Sequence, residues 1–261
     1  MHDISKYNPT ERFSNRAKHY SQARPDYPAE AMDFMAQRCQ FSDESLICDI
    51  GAGTGISTRA FASRAYHLFG VEPNEAMLNQ AKMHPDFSDR IQYVKATAEE
   101  TGLDSGFFDA VVCAQAFHWF NPEKALLEFC RILKDGGWVL LIWNEREESD
   151  PFTKDYGDLL RTWPDTLKVE TKRGKAGEPL LQSTLFQNQD RSCFPNNQVM
   201  TLEKLIKRAL SASYAPAPET SEAEEFSEKL SELFGKYQQE GSVVMHYQAC
   251  VYSGQKKKQA S

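Results

Sequence analysis

The chain has 261 residues, room for one large α/β domain with a cap or for two small domains. Hydrophobic residues make up 41% and charged residues 26%, the balance of an ordinary soluble globular protein. The net charge of -7 speaks against a nucleic-acid partner, because phosphate neutralisation needs a basic face.

The only strong basic run, Lys256-Lys257-Lys258, falls in the last residues and reads as a solvated, frayed tail over 255–261. No stretch approaches the roughly 20 continuous apolar residues of a membrane span. The polar N-terminus lacks the apolar core of a secretory signal, so the cytoplasm is the expected compartment, with no membrane partner. The six cysteines, Cys39, Cys48, Cys113, Cys130, Cys193 and Cys250, form no Cys-x-x-Cys pair. They read as buried, reduced thiols rather than disulfides or zinc ligands. The six histidines show no ligand spacing, so no metal is expected. Asp104 and Asp109 read as solvated rather than as a metal pair.

In chain order, residues 1–43 form a polar N-terminal cap and a first helix. That helix begins near Pro28 and buries Met32, Met35, Ala36 and Cys39 at helical spacing. Residues 44–144 alternate strand and helix, the signature of a parallel sheet covered by helices. Strands are expected over 46–50, 67–71, 91–94, 108–113 and 138–143. Between them, Asn74 caps a helix with Met77, Leu78 and Ala81 inward. Asn121-Pro122-Glu123 opens another helix with Leu126, Phe129, Ile132 and Leu133 inward. Residues 145–192 are charged and match no βα unit, and they read as a lid or substrate insertion. The C-terminal part of the core, 193–254, has a short strand at 198–200 and a helix at 202–210. A capping box at Ser221-Glu222-Ala223-Glu224 opens a second helix, and a last strand runs over 243–252.

Asp49-Ile50-Gly51-Ala52-Gly53-Thr54-Gly55 carries the most chemistry. It follows a buried strand and opens a helix, the context in which a glycine-rich turn binds a ligand through backbone N–H groups. The third glycine arrives one residue too early for a dinucleotide turn. Glu72, at the tip of the next strand, can accept two ribose hydroxyls. Together they report an adenosine-type ligand rather than a pyrophosphate.

The run from Asp49 to Gly55, with Glu72, resembles the first two motifs of class I S-adenosylmethionine-dependent methyltransferases. Cys113 to Phe120 resembles a stretch of a small-molecule branch that includes trans-aconitate methyltransferase-like proteins. Tyr20 with Arg24-Pro25-Asp26-Tyr27-Pro28, and Leu210 to Tyr214, resemble two further motifs of that branch. Asp135 departs from it, standing where proline is frequent, and this affects a turn only. The resemblance covers roughly residues 12–252 and is thinnest over 145–192. It implies a Rossmann-like, doubly wound sheet of seven strands, mostly parallel. The last strand would be antiparallel, inserted between the fifth and sixth, under a helical cap. It implies S-adenosyl-L-methionine as cofactor, with Gly51, Ala52, Gly53 and Gly55 at the turn behind Asp49. Glu72 would hold the ribose, Pro73 and Met77 the adenine face, and Ala98 and Glu99 the adenine edge. Gln115 would face the cofactor's amino-acid end, and Arg24 its carboxylate.

Methyl transfer from a sulfonium is an in-line displacement, so the protein chiefly holds the nucleophile and excludes water. A base is required only for an alcohol, an amine or a protonated acid. His118, just after the fourth strand, is the candidate base or orienting group, against a structural role bonding the backbone. Trp119, Tyr20 and Tyr214 are candidate pocket walls, against ordinary packing. Trp143, Trp163 and Phe152 are candidates if 145–192 is a lid. The expected activity is methylation of a small-molecule acceptor, on a carboxylate or hydroxyl oxygen. The alternatives are a non-catalytic adenosyl-binding module and an NAD-dependent oxidoreductase. The oligomeric state is not legible.

Overall fold

The computed structural model describes residues 25–62, 67–86, 89–164, 166–212, 215–216 and 220–258. In chain order the elements are α1 (Ala29–Cys39), β1 (Leu46–Ile50), α2 (Ile56–Ala62), β2 (His67–Val71) and α3 (Glu75–Lys82). Then come β3 (Ile91–Val94), β4 (Phe108–Ala114), a 3₁₀ turn (Phe117–Trp119), α4 (Pro122–Ile132) and β5 (Leu133–Arg146). The rest are α5 (Pro151–Arg161), α6 (Thr166–Gly174), α7 (Glu178–Gln182), β6 (Phe186–Met200), α8 (Leu202–Leu210), α9 (Ser221–Tyr237) and β7 (Val243–Lys256).

One seven-stranded sheet runs β3-β2-β1-β4-β5-β7-β6. The pairs among β3, β2, β1, β4 and β5 are parallel, and β7 is antiparallel to both β5 and β6. The antiparallel last strand therefore lies between the fifth and sixth, as the resemblance implies. Strand order reverses between β1 and β4. That switch point opens a crevice at the carboxyl ends of the strands.

Both sheet faces are buried, which period-two alternation makes visible. On one face Cys48, Val111, Cys113 and Leu141 pack with Phe129 and Ile132 of α4. On the other, Ile47, Val112, Leu140 and Ile142 pack with Met32 and Met35 of α1. A third cluster sits where β6 and β7 run past the sheet. There Met200, Met245 and Tyr247 pack with Phe152 and Leu160 of α5, Leu205 of α8, and Phe226 and Leu230 of α9.

Helix starts follow their capping residues. Asn74 accepts from the Met77 N–H, Asn121 from Lys124, Asp150 from Thr153 and Thr220 from Ala223. The cap of α9 is thus Thr220 rather than Ser221. Residues 145–192 are not a loop. They hold α5, α6, α7 and the first part of β6, which begins at Phe186 rather than Gln198. β5 likewise begins at Leu133, with a register shift around Gly136, where φ is 79°.

Two expectations are overturned. The frayed tail does not begin at residue 255, since Gln255 and Lys256 belong to β7 and Lys256 Nζ donates to the Leu133 carbonyl at 2.7 Å. Cys193 and Cys250 are joined in a disulfide, with an S–S distance of 2.05 Å. They stand 57 residues apart in sequence, but β6 and β7 place them directly opposite each other. Cys193 also lies exposed on the edge strand. Cys39, Cys48, Cys113 and Cys130 are free thiols. Among the described residues no helix is long and apolar enough to cross a membrane. No cluster of metal-ligating side chains occurs among them either.

Candidate active site

The turn after β1 is held from beneath. Gly51 N and Ala52 N donate to the Val71 carbonyl at the tip of β2, at 2.8 and 3.1 Å. Gly51, Gly53 and Gly55 have φ of 76°, 56° and 79°, a region open to glycine at little cost. Two of these glycines serve different ends. A Cβ on Gly51 would lie 2.5 Å from the Ala116 Cβ, so that glycine allows the turn to pack on β4's exit. A Cβ on Gly53 would meet nothing within 4 Å, because its missing side chain points into open space. Gly55 lets the start of α2 approach Tyr93 and Ala81.

Asp49 is fully buried and lines neither of the two cavities beside the turn. Its Oδ2 accepts from the Ser57 hydroxyl at 2.7 Å and the Thr58 hydroxyl at 2.6 Å, tying β1 to α2. Its Oδ1 has no hydrogen-bond partner among the described residues. Burial pushes this carboxyl up to about 6.

Two cavities meet along the turn, sharing Gly51, Gly53, Ala114 and Gln115. The larger, of about 290 Å³, is an apolar slot with two carboxylates. Val71, Pro73, Met77, Ala98 and Phe120 give it walls, and Trp119 stands at its edge. Glu72 Oε2 accepts from Gly53 N at 3.0 Å, and Oε1 from Asn74 N at 2.9 Å. Burial raises the Glu72 carboxyl, and these two backbone bonds pull it back. Glu99 accepts from Asn121 N at 2.8 Å. Glycine turn, apolar slot and aimed carboxylate suit an adenosyl group, so the residues present fit S-adenosylmethionine.

The smaller cavity, of about 50 Å³, adjoins the larger along the turn and also takes in Thr54, Ile56 and Ser57. Pro25 and Tyr27 cover it, and Gln115, Asn144, Arg173 and Arg208 wall it. Gln115 has φ 59°, a left-handed conformation rare outside glycine, right at the end of β4. Its side-chain oxygen accepts from Arg173 Nη2 at 2.9 Å. Arg173 also donates to the Asn144 carbonyl. Asn196 of β6 donates to the Asp26 carbonyl at 2.8 Å and to Asn144 Oδ1 at 3.0 Å, fastening the N-terminal cover to the sheet.

Helix α6 contributes Arg173 to the wall of the smaller cavity. Lys172 sits 5.8 Å from the Trp119 ring centre, beside Arg173 on Gln115. The helix is anchored by Glu170, which accepts from Arg146 and, at 2.9 Å, from Arg161 Nε. Arg161 in turn donates to Glu148.

The structure thus brings Gly51, Ala52, Gly53, Glu72, Pro73, Met77, Ala98, Glu99, Gln115 and Trp119 to the walls of one groove. It does not bring His118 there. That ring is buried on the 3₁₀ turn, 4.8 Å from the Trp119 ring, and lines neither cavity. Trp143 packs on Tyr252 in the core, and Trp163 on Phe226 in the third cluster, where Phe152 also lies. Tyr20, Arg24 and Tyr214 lie outside the described residues. Sequence reasoning missed Tyr27, Asn144, Arg173 and Arg208. Tyr27 and Asn144 had signals: one sits in the Arg-Pro-Asp-Tyr-Pro run, the other ends an apolar strand where ligands collect. The two arginines had none, since each is one of many charges on an amphipathic helix.

Residues 48–141 match a family model described as a methyltransferase domain. An uncharacterized methyltransferase of Mycobacterium tuberculosis is 32% identical over 57% of this chain and 58% of its own length. The aligned part is little more than half of that relative. An uncharacterized methyltransferase-like protein of Schizosaccharomyces pombe is 28% identical over 94% of this chain and 95% of its own length. Among solved structures, a candidate type II methyltransferase of Anaeromyxobacter dehalogenans superposes with a TM-score of 0.67. It is 21% identical, over 90% of this chain and 99% of that one. A Haemonchus contortus phosphoethanolamine N-methyltransferase in complex with S-adenosyl-L-methionine gives 0.56 at 16% identity, covering 99% and 61%. These two likenesses are of fold.

Proposed function

We propose that this chain, which belongs to the class I methyltransferases through its domain at residues 48–141, moves a methyl group from S-adenosylmethionine to a small-molecule acceptor. The observation that carries this reading is the pair of cavities joined across one glycine turn. One is an apolar slot with a carboxylate at Glu72, and the other is a smaller chamber of mixed lining that includes Gln115, Asn144, Arg173 and Arg208. The Haemonchus enzyme, of the same fold, is solved with this donor bound.

S-Adenosylmethionine supplies an activated methyl group on a positive sulfur. In this chain Glu72 would hold the ribose hydroxyls, and Pro73, Met77, Ala98 and Phe120 would enclose the adenine, with Glu99 at its edge. The backbone of Gly51 to Gly53 and the side chain of Gln115 would receive the amino-acid end. Pro25, Tyr27 and α6 would keep water from the reacting atoms, which is most of what an in-line displacement asks of a protein. The acceptor would enter by Gln115 and Asn144. A carboxylate oxygen attacks without a base. That fits a wall whose described ionisable side chains are Arg173, Arg208 and the Tyr27 phenol. His118, away from the walls, would steady Trp119 rather than take a proton. Loss of turnover in His118→Ala with donor affinity kept would overturn that assignment.

Calorimetric titration with S-adenosylhomocysteine and with NADH tests the reading, followed by a metabolite screen with labelled methyl donor. Binding of the first alone, and label transfer, is the expected result. Binding of NADH alone would make the protein an oxidoreductase. Donor binding with no transfer to any metabolite would leave a binding module.

A further inference from the structure

We infer that Asn196 is a positioning residue that fastens the N-terminal cover over the smaller cavity, and that the Cys193–Cys250 disulfide sets how firmly it does so. Access to the groove is thereby tied to thiol chemistry at the sheet edge. This rests on the methyltransferase reading above only for what the cover encloses.

Asn196 stands on β6, the edge strand, whose one neighbour in the sheet is β7. Its Nδ2 donates to the Asp26 carbonyl at 2.8 Å and to Asn144 Oδ1 at 3.0 Å. Asp26 lies between Pro25 and Tyr27, which cover the cavity, and Asn144 belongs to the cavity wall. Asn144 Nδ2 reaches the same carbonyl only at 3.5 Å, so the closer grip on the cover is that of Asn196.

The bridge that keeps Asn196 in reach lies three residues before it. β6 and β7 place Cys193 opposite Cys250, Phe194 opposite Ala249 and Asn196 opposite Tyr247. On the other edge of β7, Cys250 faces Trp143 and Ala249 faces Asn144. The disulfide thus ties the strand bearing Asn196 to the stretch of β7 that sets the register of Asn144. Pro195, between bridge and latch, brings no N–H to the ladder, so this stretch leans more on the covalent tie. Phe194 packs on Phe34 of α1 with ring centres 5.2 Å apart, so the helix that continues from the cover rests on the same few residues.

The bridge is open to attack from outside. Cys193 is exposed and Cys250 is buried. Arg191 Nη2 lies 3.3 Å from the Cys250 sulfur, where a guanidinium stabilises a departing thiolate. A dithiol reductant attacks Cys193 Sγ as its thiolate. The S–S bond breaks, and Cys250 leaves as a thiolate beside Arg191 and then takes up a proton. The reductant's second thiolate displaces Cys193 from the mixed disulfide. The protein gains two electrons and two protons, and the dithiol ends as a cyclic disulfide.

Stopped-flow release of S-adenosylhomocysteine, with and without dithiothreitol, tests this. In the oxidised protein, Asn196→Asp exchanges the donating amide for a carboxylate of the same shape. It should release the ligand roughly three- to tenfold faster, the scale of one or two lost hydrogen bonds. Reduction of the wild type should do the same. Reduction of Asn196→Asp should add less than roughly twofold, because the latch is already open. Cys193→Ser, a change at an exposed position, should match the reduced protein and ignore the dithiol. Hydrogen exchange over residues 25–28 of the ligand-free protein should quicken in the same three cases, and thermal melts check folding. Unchanged release and exchange in Asn196→Asp would overturn the positioning role. A wild type that ignores reduction would overturn the switch. Equal acceleration by reduction in wild type and Asn196→Asp would overturn the coupling, since the bridge would then act through the fold at large. Should wild-type protein bind no S-adenosylhomocysteine, the methyltransferase reading fails, and the exchange measurement alone decides the latch.

Discussion

The two halves of the groove are built in different ways. The half proposed for the adenosyl group comes from consecutive βα units, each placing its residues at the tip of its own strand: Gly51 and Gly53 after β1, Glu72 after β2, Ala98 and Glu99 after β3. The half proposed for the acceptor is gathered from five distant places: Tyr27, Gln115, Asn144, Arg173 and Arg208. The first half is specified by local chemistry, since a turn that needs glycine needs it wherever the rest of the chain goes. The second exists only once the whole sheet and its cap have formed. A pocket of the first kind can be kept while the second kind is rebuilt for a different acceptor.

The sharpest break of this contrast is at Gly53. Gly53→Val should lower affinity for S-adenosylhomocysteine roughly a hundredfold or more, because the new side chain fills the groove. The fold should survive, at about 1–2 kcal/mol of backbone strain. Gly51→Val, by contrast, should fail to fold, since its Cβ meets Ala116. Calorimetry and a thermal melt read both, and a Gly53→Val protein that binds normally would misplace the ligand.

Next in size is a pH effect at Asp49. Its carboxyl is pushed up to about 6, against roughly 3.9 in an unfolded chain. The native state therefore holds this proton more tightly than the unfolded state does. Its stabilisation is present below about pH 4 and is lost as pH rises through about 6, by about 3 kcal/mol. Asp49→Asn should abolish that slope in urea melts across the window. An unchanged slope would show that the carboxyl titrates as an exposed one.

Smaller again, Glu72→Ala should weaken the donor by about 1–3 kcal/mol, read by calorimetry. Glu170→Ala should be the mildest. Its ion pairs with Arg146 and Arg161 are only partly exposed, so their loss should cost about 1–2 kcal/mol of stability. Donor affinity should hold within roughly twofold, whereas the acceptor KM should rise as α6 loosens. A donor affinity that fell as far as the KM rose would show the halves are not separable.

The same contrast explains what could be read beforehand. β1, β2 and β3 begin and end where their apolar runs do, and α3 and α4 start at Asn74 and Asn121 because side-chain caps are local. β6 was legible only at its end. It is an edge strand of mostly polar residues, with Pro195 inside it, so period-two burial had little to mark it. Helix α5 was missed for a lesser reason, since Asp150-Pro151 repeats the cap-and-proline signal of Asn121-Pro122. The disulfide was invisible because it depends on the partnership of β6 and β7, which no spacing encodes.

That partnership has a consequence for how the molecule is made. β7 occupies the gap between β5 and β6, so β6 emerges from the ribosome with no neighbour to join. Its polar edge has to wait, unzipped, until more than forty further residues, α8 and α9 among them, have been synthesised. Until then Cys193 has no Cys250 to meet and Asn196 no finished sheet to hold. The sheet edge that holds the N-terminal cover would thus be completed only once β7 has entered.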